Sequence, residues 1–159
     1  MGQDSVIGND SRECQRCREQ WQELLHTDIT LAALQAFYAR HKYLIMSRHL
    51  ASYHAIGALL ANVRKDELPA VAQRLFESIM HALAQPATRG GDVNALLHIC
   101  GYLKTQLQRQ EKIQLLDTIE KYRLGEVEFD VPVALLHAHF ERFPDAYIEQ
   151  QLFLKLPHL

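Results

Sequence analysis

Residues 31–48 read LAALQAFYARHKYLIMSR, and this stretch decides the fold class of the chain. Its large side chains recur at steps of three and four residues, a set made up of Leu31, Leu34, Phe37, Tyr38, His41, Leu44 and Ile45. Such spacing places side chains on one face of an α-helix, and Thr30 is a suitable N-cap. We therefore predict a long helix here that packs through this face against the rest of the chain.

The helical period continues towards the C-terminus. Further helices are predicted to begin at or beside polar residues or proline, namely Ser52, Asp66, Asp92, Gln110, Pro132 and Asp145. Two of these helices would bury stripes made up of Leu96, Cys100, Leu103 and Leu107 and of Ile113, Leu116 and Ile119. The segment 127–131 alternates like a strand, but one strand makes no stable sheet. The prediction is an all-α, single-domain bundle of about six to seven helices.

The length of 159 residues fits one domain with a single core. Residues 1–20 are polar, so we predict a mobile tail there and a helical domain over residues 21–159. The N-terminus has no basic region followed by an apolar stretch, and apolar runs such as Ala55–Ala61 are too short to span a bilayer. We expect a cytoplasmic protein without a membrane partner.

Three cysteines in a chain without an export signal favour free thiols over disulfides. Cys14 and Cys17 form a C-x-x-C pair flanked by arginines, which would favour the thiolate. A zinc or iron–sulfur site needs about four ligands, and His26 and the remote Cys100 are the other candidates. The expectation is two exposed thiols on the tail, a buried Cys100, and neither a metal nor a cofactor.

Charge is unevenly distributed, although the net charge is only -2. No acidic residue lies between Asp28 and Asp66, whereas this segment carries three histidines and five basic residues, Arg40, Lys42, Arg48, Arg64 and Lys65. Two neighbouring helices would present a positive surface suited to phosphate groups, and Lys104 would extend it if the fourth helix packs beside them. Alternatively, acidic residues of the last third of the chain fold over this segment and neutralise it.

A polar edge is predicted on the fourth helix. Asn94, His98 and Tyr102 follow one another at steps of four residues, so their side chains lie along one side of the helix. Such an edge can contact a base or a sugar. Alternatively, the three groups hydrogen-bond to neighbouring helices at the rim of the core.

Motifs of common enzymes are missing from the sequence. It has no phosphate-binding Gly-Lys loop, no Rossmann glycine fingerprint, no H-E-x-x-H and no glycine-flanked nucleophilic serine. We therefore predict no catalytic residues. The alternative is a small-molecule enzyme with a pocket formed by His41, His98 and Tyr102, in which a histidine acts as general base.

Three segments, residues 37–46, 52–57 and 94–104, resemble the YbgA family of bacterial proteins. Residues 122–125, Pro132, Tyr147, the pair Gln150 and Gln151, and Pro157 fit the same pattern, so the resemblance extends from about residue 31 to the C-terminus. Domains of this family occur alone or fused behind an iron–sulfur domain of the thiouracil desulfidase type. In fused proteins that remove sulfur from 4-thiouridine in tRNA, the YbgA-like part is associated with holding the RNA.

The resemblance implies a set of binding positions and a partner. The matching positions are Lys42, Tyr53, Asn94, His98, Tyr102, Lys104, Tyr122 and Arg123, to which the charge pattern adds Arg40 and Arg48. The hypothesis is a non-catalytic domain that binds RNA, such as tRNA, or a nucleotide. It would be an accessory to tRNA thiouridine desulfidation beside a separate desulfidase-type protein. Because the resemblance does not include the cluster-binding domain, it implies no desulfidase activity for this chain.

Overall fold

The computed structural model describes residues 7–155, with side chains from Arg12 onward. In this part of the chain every regular element is helical. The α-helices are α1 (Ile7–Leu25), α2 (Leu31–Arg48), α3 (Leu50–Ala61), α4 (Leu68–Leu83), α5 (Arg89–Cys100), α6 (Arg109–Arg123), α7 (Asp130–Arg142) and α8 (Ala146–Glu149). Short 3-10 turns occupy Lys65–Glu67, Gly101–Leu103 and Leu152–Leu154. The all-α prediction is confirmed, with eight α-helices among the described residues instead of six or seven.

Helix α2 is the centre of the bundle and packs against α3, α4, α5 and the C-terminal 3-10 turn. The predicted cap is confirmed, because the Thr30 hydroxyl accepts a 3.1 Å hydrogen bond from the Ala33 amide. The predicted face is buried apart from the half-buried Leu31, and Tyr43 and Met46 outside this face are buried too. None of the helices over residues 7–155 is long and apolar enough to cross a membrane.

One glycine sets the distance between α2 and α5. A Cβ placed on Gly91 would lie 1.9 Å from the carbonyl oxygen of Ser47, so no other residue fits at this position without a shift of backbone. Further along, Tyr43 of α2 meets Tyr102, which directly follows α5. The two helices therefore run antiparallel in close contact.

The N-terminal prediction is wrong for residues 7–20, which form most of α1. Cys14, Cys17 and Trp21 are buried on one side of this helix, and the Trp21 ring packs 5.2 Å from the rings of Phe37 and Phe76. Because the exposed side of α1 is charged, the segment has a polar composition on average, and that average does not reveal the buried stripe. The thiols of the pair are therefore buried, and burial raises the pKa of Cys17 to about 12, which disfavours the thiolate. Residues 1–6 lie outside the described part of the chain.

Several helices begin a few residues away from their predicted first residue. His49 caps α3, because its Nδ1 accepts a 3.2 Å hydrogen bond from the amide of Ser52, which was the predicted cap. Thr88 caps α5 in place of Asp92, so the segment 89–91 is helical and not a turn. The predicted cap Asp145 is confirmed by its 3.0 Å hydrogen bond from the Ile148 amide.

The buried face of α6 also differs from the prediction. Ile113 and Leu116 are half-exposed, whereas Leu115, Ile119 and Tyr122 face the core. Both sets have helical spacing, so the period alone did not distinguish the two faces. Cys100 on α5 is half-buried, and burial raises its pKa to about 11.

Candidate functional site

An open groove of about 460 Å³ lies between α2 and α3. Helix α2 contributes Gln35, Tyr38, Ala39 and Lys42 to its lining, α3 contributes Tyr53, His54, Gly57, Ala58, Leu60 and Ala61, and α8 contributes Tyr147. One lining residue is cationic and none is a carboxylate. The groove therefore suits a ligand with a negative charge and an apolar body.

Lys42 is held in place by aromatic rings. Its Nζ lies 5.5 Å from the ring centroid of Tyr43, 5.9 Å from that of Tyr53 and 5.7 Å from that of Tyr147. The electron-rich ring faces attract the ammonium group and fix its position. Within residues 12–155, no carboxylate lies at ion-pair distance from Lys42. A fixed positive charge without an anionic partner therefore faces the groove.

Five of the six tyrosines of the chain gather around Lys42. Tyr43 donates a 3.2 Å hydrogen bond to the Tyr102 hydroxyl, and the Tyr102 ring stacks on Tyr147 at 6.1 Å. Tyr38 donates a 3.3 Å hydrogen bond to the carbonyl of Tyr53. Burial raises the pKa of Tyr38, Tyr43 and Tyr147, so these phenols stay neutral near pH 7.

Gln151 links the C-terminal segment to α2 at two positions, one before and one after Lys42 in the sequence. This side chain is fully buried, and its Nε2 donates hydrogen bonds to the carbonyls of Ala39 at 2.6 Å and Tyr147 at 3.4 Å. Its Oε1 accepts a 3.5 Å hydrogen bond from the amide of Tyr43. Gln151 thus holds Tyr147 against Lys42.

Three of the predicted site residues, Lys42, Tyr53 and Tyr102, lie close together in the structure. His98 and Asn94 lie one and two turns before Tyr102, respectively, and within residues 12–155 neither side chain makes a hydrogen bond. The alternative, in which all three residues hydrogen-bond to neighbouring helices, therefore holds for Tyr102, which accepts a hydrogen bond from Tyr43 of α2, but has no support for Asn94 and His98 in the described residues. Lys104 is exposed two residues after Tyr102.

Four predicted residues lie apart from the groove. The Arg48 guanidinium forms a 2.5 Å ion pair with Glu13 of α1, and its side chain is only 11% exposed. Tyr122 is buried and donates a 2.6 Å hydrogen bond to Asp92, while Arg123 pairs with Glu120 of its own helix. Arg40 is exposed, with its guanidinium 5.5 Å from the Phe37 ring. Arg48, Tyr122 and Arg123 therefore have structural partners that sequence spacing did not reveal.

Among the side chains that the structure describes, no acidic residue of the last third of the chain forms an ion pair with the acid-free segment. Three of these acidic residues form ion pairs within that same third, namely Glu111 with Arg142, Asp117 with Lys121 and Glu120 with Arg123. Two arginines of the acid-free segment form ion pairs with acidic residues from other parts of the chain. Arg48 pairs with Glu13, and Arg64 pairs with Asp66 and Glu67. Lys42 forms no ion pair with any residue whose side chain the structure describes.

The residues of the alternative enzyme hypothesis do not converge. His41 lines a separate cavity of about 30 Å³ beneath α1, together with Cys17. Its Nδ1 donates a 2.8 Å hydrogen bond to the Phe37 carbonyl, and burial lowers its pKa, so the ring is neutral. His98 and Tyr102 lie on the exposed edge of α5 and the turn after it, and none of the three lines the groove.

Sequence reasoning missed Tyr43, Tyr147 and Gln151 as parts of the site. Tyr43 lies within the acid-free segment, directly beside Lys42, which was a usable local signal. The other two fitted only the family pattern near the C-terminus. Their role depends on the return of the chain to α2, which no local pattern indicates.

Comparison with known proteins assigns the family. The sequence model of the family described as "Protein of unknown function (DUF1722)" matches residues 42–157. The chain is 24% identical to "Uncharacterized protein YbgA" of Escherichia coli (strain K12) over 129 residues, which are 80% of this chain and 76% of that protein. No solved structure matches. Lys42 and the tyrosines of α3 and α8 lie inside the family match, whereas α1 lies outside it. The chain therefore belongs to the DUF1722 family, and the predicted kinship with YbgA is confirmed.

Proposed function

We propose that this protein is a non-catalytic domain that binds RNA or a nucleotide in the groove between α2 and α3. The observation that carries the proposal is the ammonium group of Lys42, which lies among three tyrosine rings without a carboxylate partner in residues 12–155. A phosphate group supplies the missing negative charge, and nucleic-acid bases stack on aromatic rings. A positive charge for the phosphate and aromatic rings for the base are both present at this site.

The edge of α5 would extend the contact surface. Tyr102 is 39% exposed and stacks on Tyr147, which lines the groove. Asn94 and His98, on the same edge, offer donors and acceptors to a base or a ribose, and Lys104 offers a second phosphate contact. Arg48, Tyr122 and Arg123 have protein partners, so the proposal leaves them out.

The biological setting rests on the family resemblance alone. Domains of this kind are associated with tRNA thiouridine desulfidation, so we extend the proposal to an accessory role beside a separate desulfidase-type protein. In that setting the groove and the edge of α5 would hold tRNA while the partner protein carries out the chemistry.

Titration of fluorescently labelled tRNA at low and moderate salt tests the proposal by anisotropy. Binding should weaken steeply with salt, because phosphate contacts release counterions. Lys42→Ala should weaken binding and lower the salt slope by about one unit. Lys112→Ala on α6 is the matched control, since Lys112 is exposed and lies outside the groove. Undetectable binding at micromolar protein, or equal binding by both variants and the unmodified protein, would refute the proposal.

A further inference from the structure

Part of the α3 wall of the groove, beside Tyr53, His54 and Leu60, is formed by three small residues. Gly57, Ala58 and Ala61 are all exposed there, and a Cβ placed on Gly57 would meet no atom within 4 Å. Their spacing puts them on neighbouring positions of one helix side. These three residues therefore form a flat apolar surface in the same groove as the charge of Lys42.

The size and charge of the groove restrict what can enter. Its volume of about 460 Å³ is in the range of small-ligand sites and leaves no room for a duplex. In an A-form duplex the bases are stacked and paired, whereas an unpaired base presents its flat face. With one cation in the lining, the groove also matches one phosphate better than a row of them.

We infer that the groove holds a single unpaired nucleotide, with its phosphate at Lys42 and its base against the surface formed by Gly57, Ala58 and Ala61. This inference rests on the proposed function and narrows it to nucleotides that are free or in single-stranded RNA. Duplex RNA can then bind only through general charge attraction, without the contribution of base stacking.

Isothermal titration calorimetry with four probes tests this inference on the full chain. The probes are uridine monophosphate, inorganic phosphate, a single-stranded RNA decamer and a duplex of the same length, all at one salt concentration. The single strand should bind about tenfold tighter than the duplex, and uridine monophosphate tighter than inorganic phosphate. Comparable affinity for the monophosphate and the decamer indicates a free nucleotide as ligand. Much tighter binding of the decamer indicates single-stranded RNA. Either result supports the inference.

Gly57→Leu fills the groove without disturbing the core, because the new side chain enters open space. It should weaken binding of the single strand and of uridine monophosphate about tenfold, while duplex binding stays unchanged. Gly90→Leu is the matched control, since Gly90 is also an exposed helical glycine whose added Cβ would meet nothing within 4 Å. The control should bind all probes like the unmodified protein.

The outcomes separate this inference from the proposed function. If Lys42→Ala weakens RNA binding but Gly57→Leu does not, and single strand and duplex bind equally, the inference is wrong while the proposed function stands. If no RNA or nucleotide binds, both are wrong. If a polyglutamate peptide binds with the same dependence on Gly57, the groove recognises anions of another class, and the inference is overturned.

Discussion

The hydroxyl group of Tyr43 donates a 3.2 Å hydrogen bond to the hydroxyl group of Tyr102. The bond links α2, next to Lys42, to the turn that follows α5, across 59 residues of sequence. Burial, followed by this hydrogen bond, raises the pKa of Tyr43, so its phenol remains a neutral donor near pH 7. The bond thereby ties the part of α2 that carries Lys42 to the turn after α5.

Tyr43→Phe should lower the free energy of unfolding by about 1 kcal/mol, because it removes this hydrogen bond and keeps the ring. Tyr102→Phe should cost a similar amount, and the double variant should cost little more than either single one. Denaturant unfolding of the four proteins measures the coupling. Fully additive losses would mean that the two hydroxyl groups do not interact in solution.

Gln151→Leu should destabilise the protein by roughly 1–3 kcal/mol, since it keeps the volume but removes every hydrogen bond of a buried amide. In the protein that remains folded, Tyr147 loses its tie to α2, so RNA binding should weaken as well. Gln150→Leu is the control, because Gln150 is half-buried and its side chain makes no hydrogen bond within residues 12–155. Equal stability of the two variants, measured by thermal unfolding, would contradict the role assigned to Gln151.

Gly91→Ala should destabilise the protein by roughly 1–3 kcal/mol, because the added methyl group would overlap the Ser47 carbonyl and push α2 and α5 apart. Gly90→Ala, one residue earlier, should instead be neutral or stabilising by up to about 1 kcal/mol, since alanine favours helix and the space there is open. Thermal melting of both variants checks the contrast. A smaller loss for Gly91→Ala than for Gly90→Ala would disprove the close approach.

Short sequence patterns predicted structure within a few residues of themselves, but they gave little information about contacts between distant parts of the chain. Thr30 and Asp145 were recognisable as caps because a cap depends on neighbours three residues away. The charge gap drew attention to Lys42, which lies in the groove among three tyrosine rings. It could not reveal that Glu13 neutralises Arg48, because this pair depends on how α1 docks on the bundle.

The candidate site shows the same limit. Gln151 and the Tyr43 amide that it binds are 108 residues apart, so their contact exists only after the chain has folded. In α1, one buried stripe of Cys14, Cys17 and Trp21 outweighs a polar composition, because packing responds to one face of a helix and not to the average. The mobile-tail prediction failed for this reason.

His41 should make the stability of the protein depend on pH below neutrality. Burial lowers its pKa from the ordinary value of 6.5, with only partial compensation by the hydrogen bond to Phe37, and the positive charge of Arg40 lowers it further. The unfolded chain therefore binds a proton more readily than the folded one. The contribution of His41 is complete above about pH 6.5 and is lost as the pH falls towards the lower pKa of the folded state.

Denaturant unfolding at pH 5, 6, 7 and 8 measures this dependence. His41→Leu should lose less free energy of unfolding between pH 7 and pH 5 than the unmodified protein, because leucine does not titrate. His26→Leu is the control, since it removes an exposed histidine just after α1. If His41→Leu showed the full acid sensitivity of the unmodified protein, the ring of His41 would have to be solvated in the folded state, and the packing of α1 over it would be incorrect.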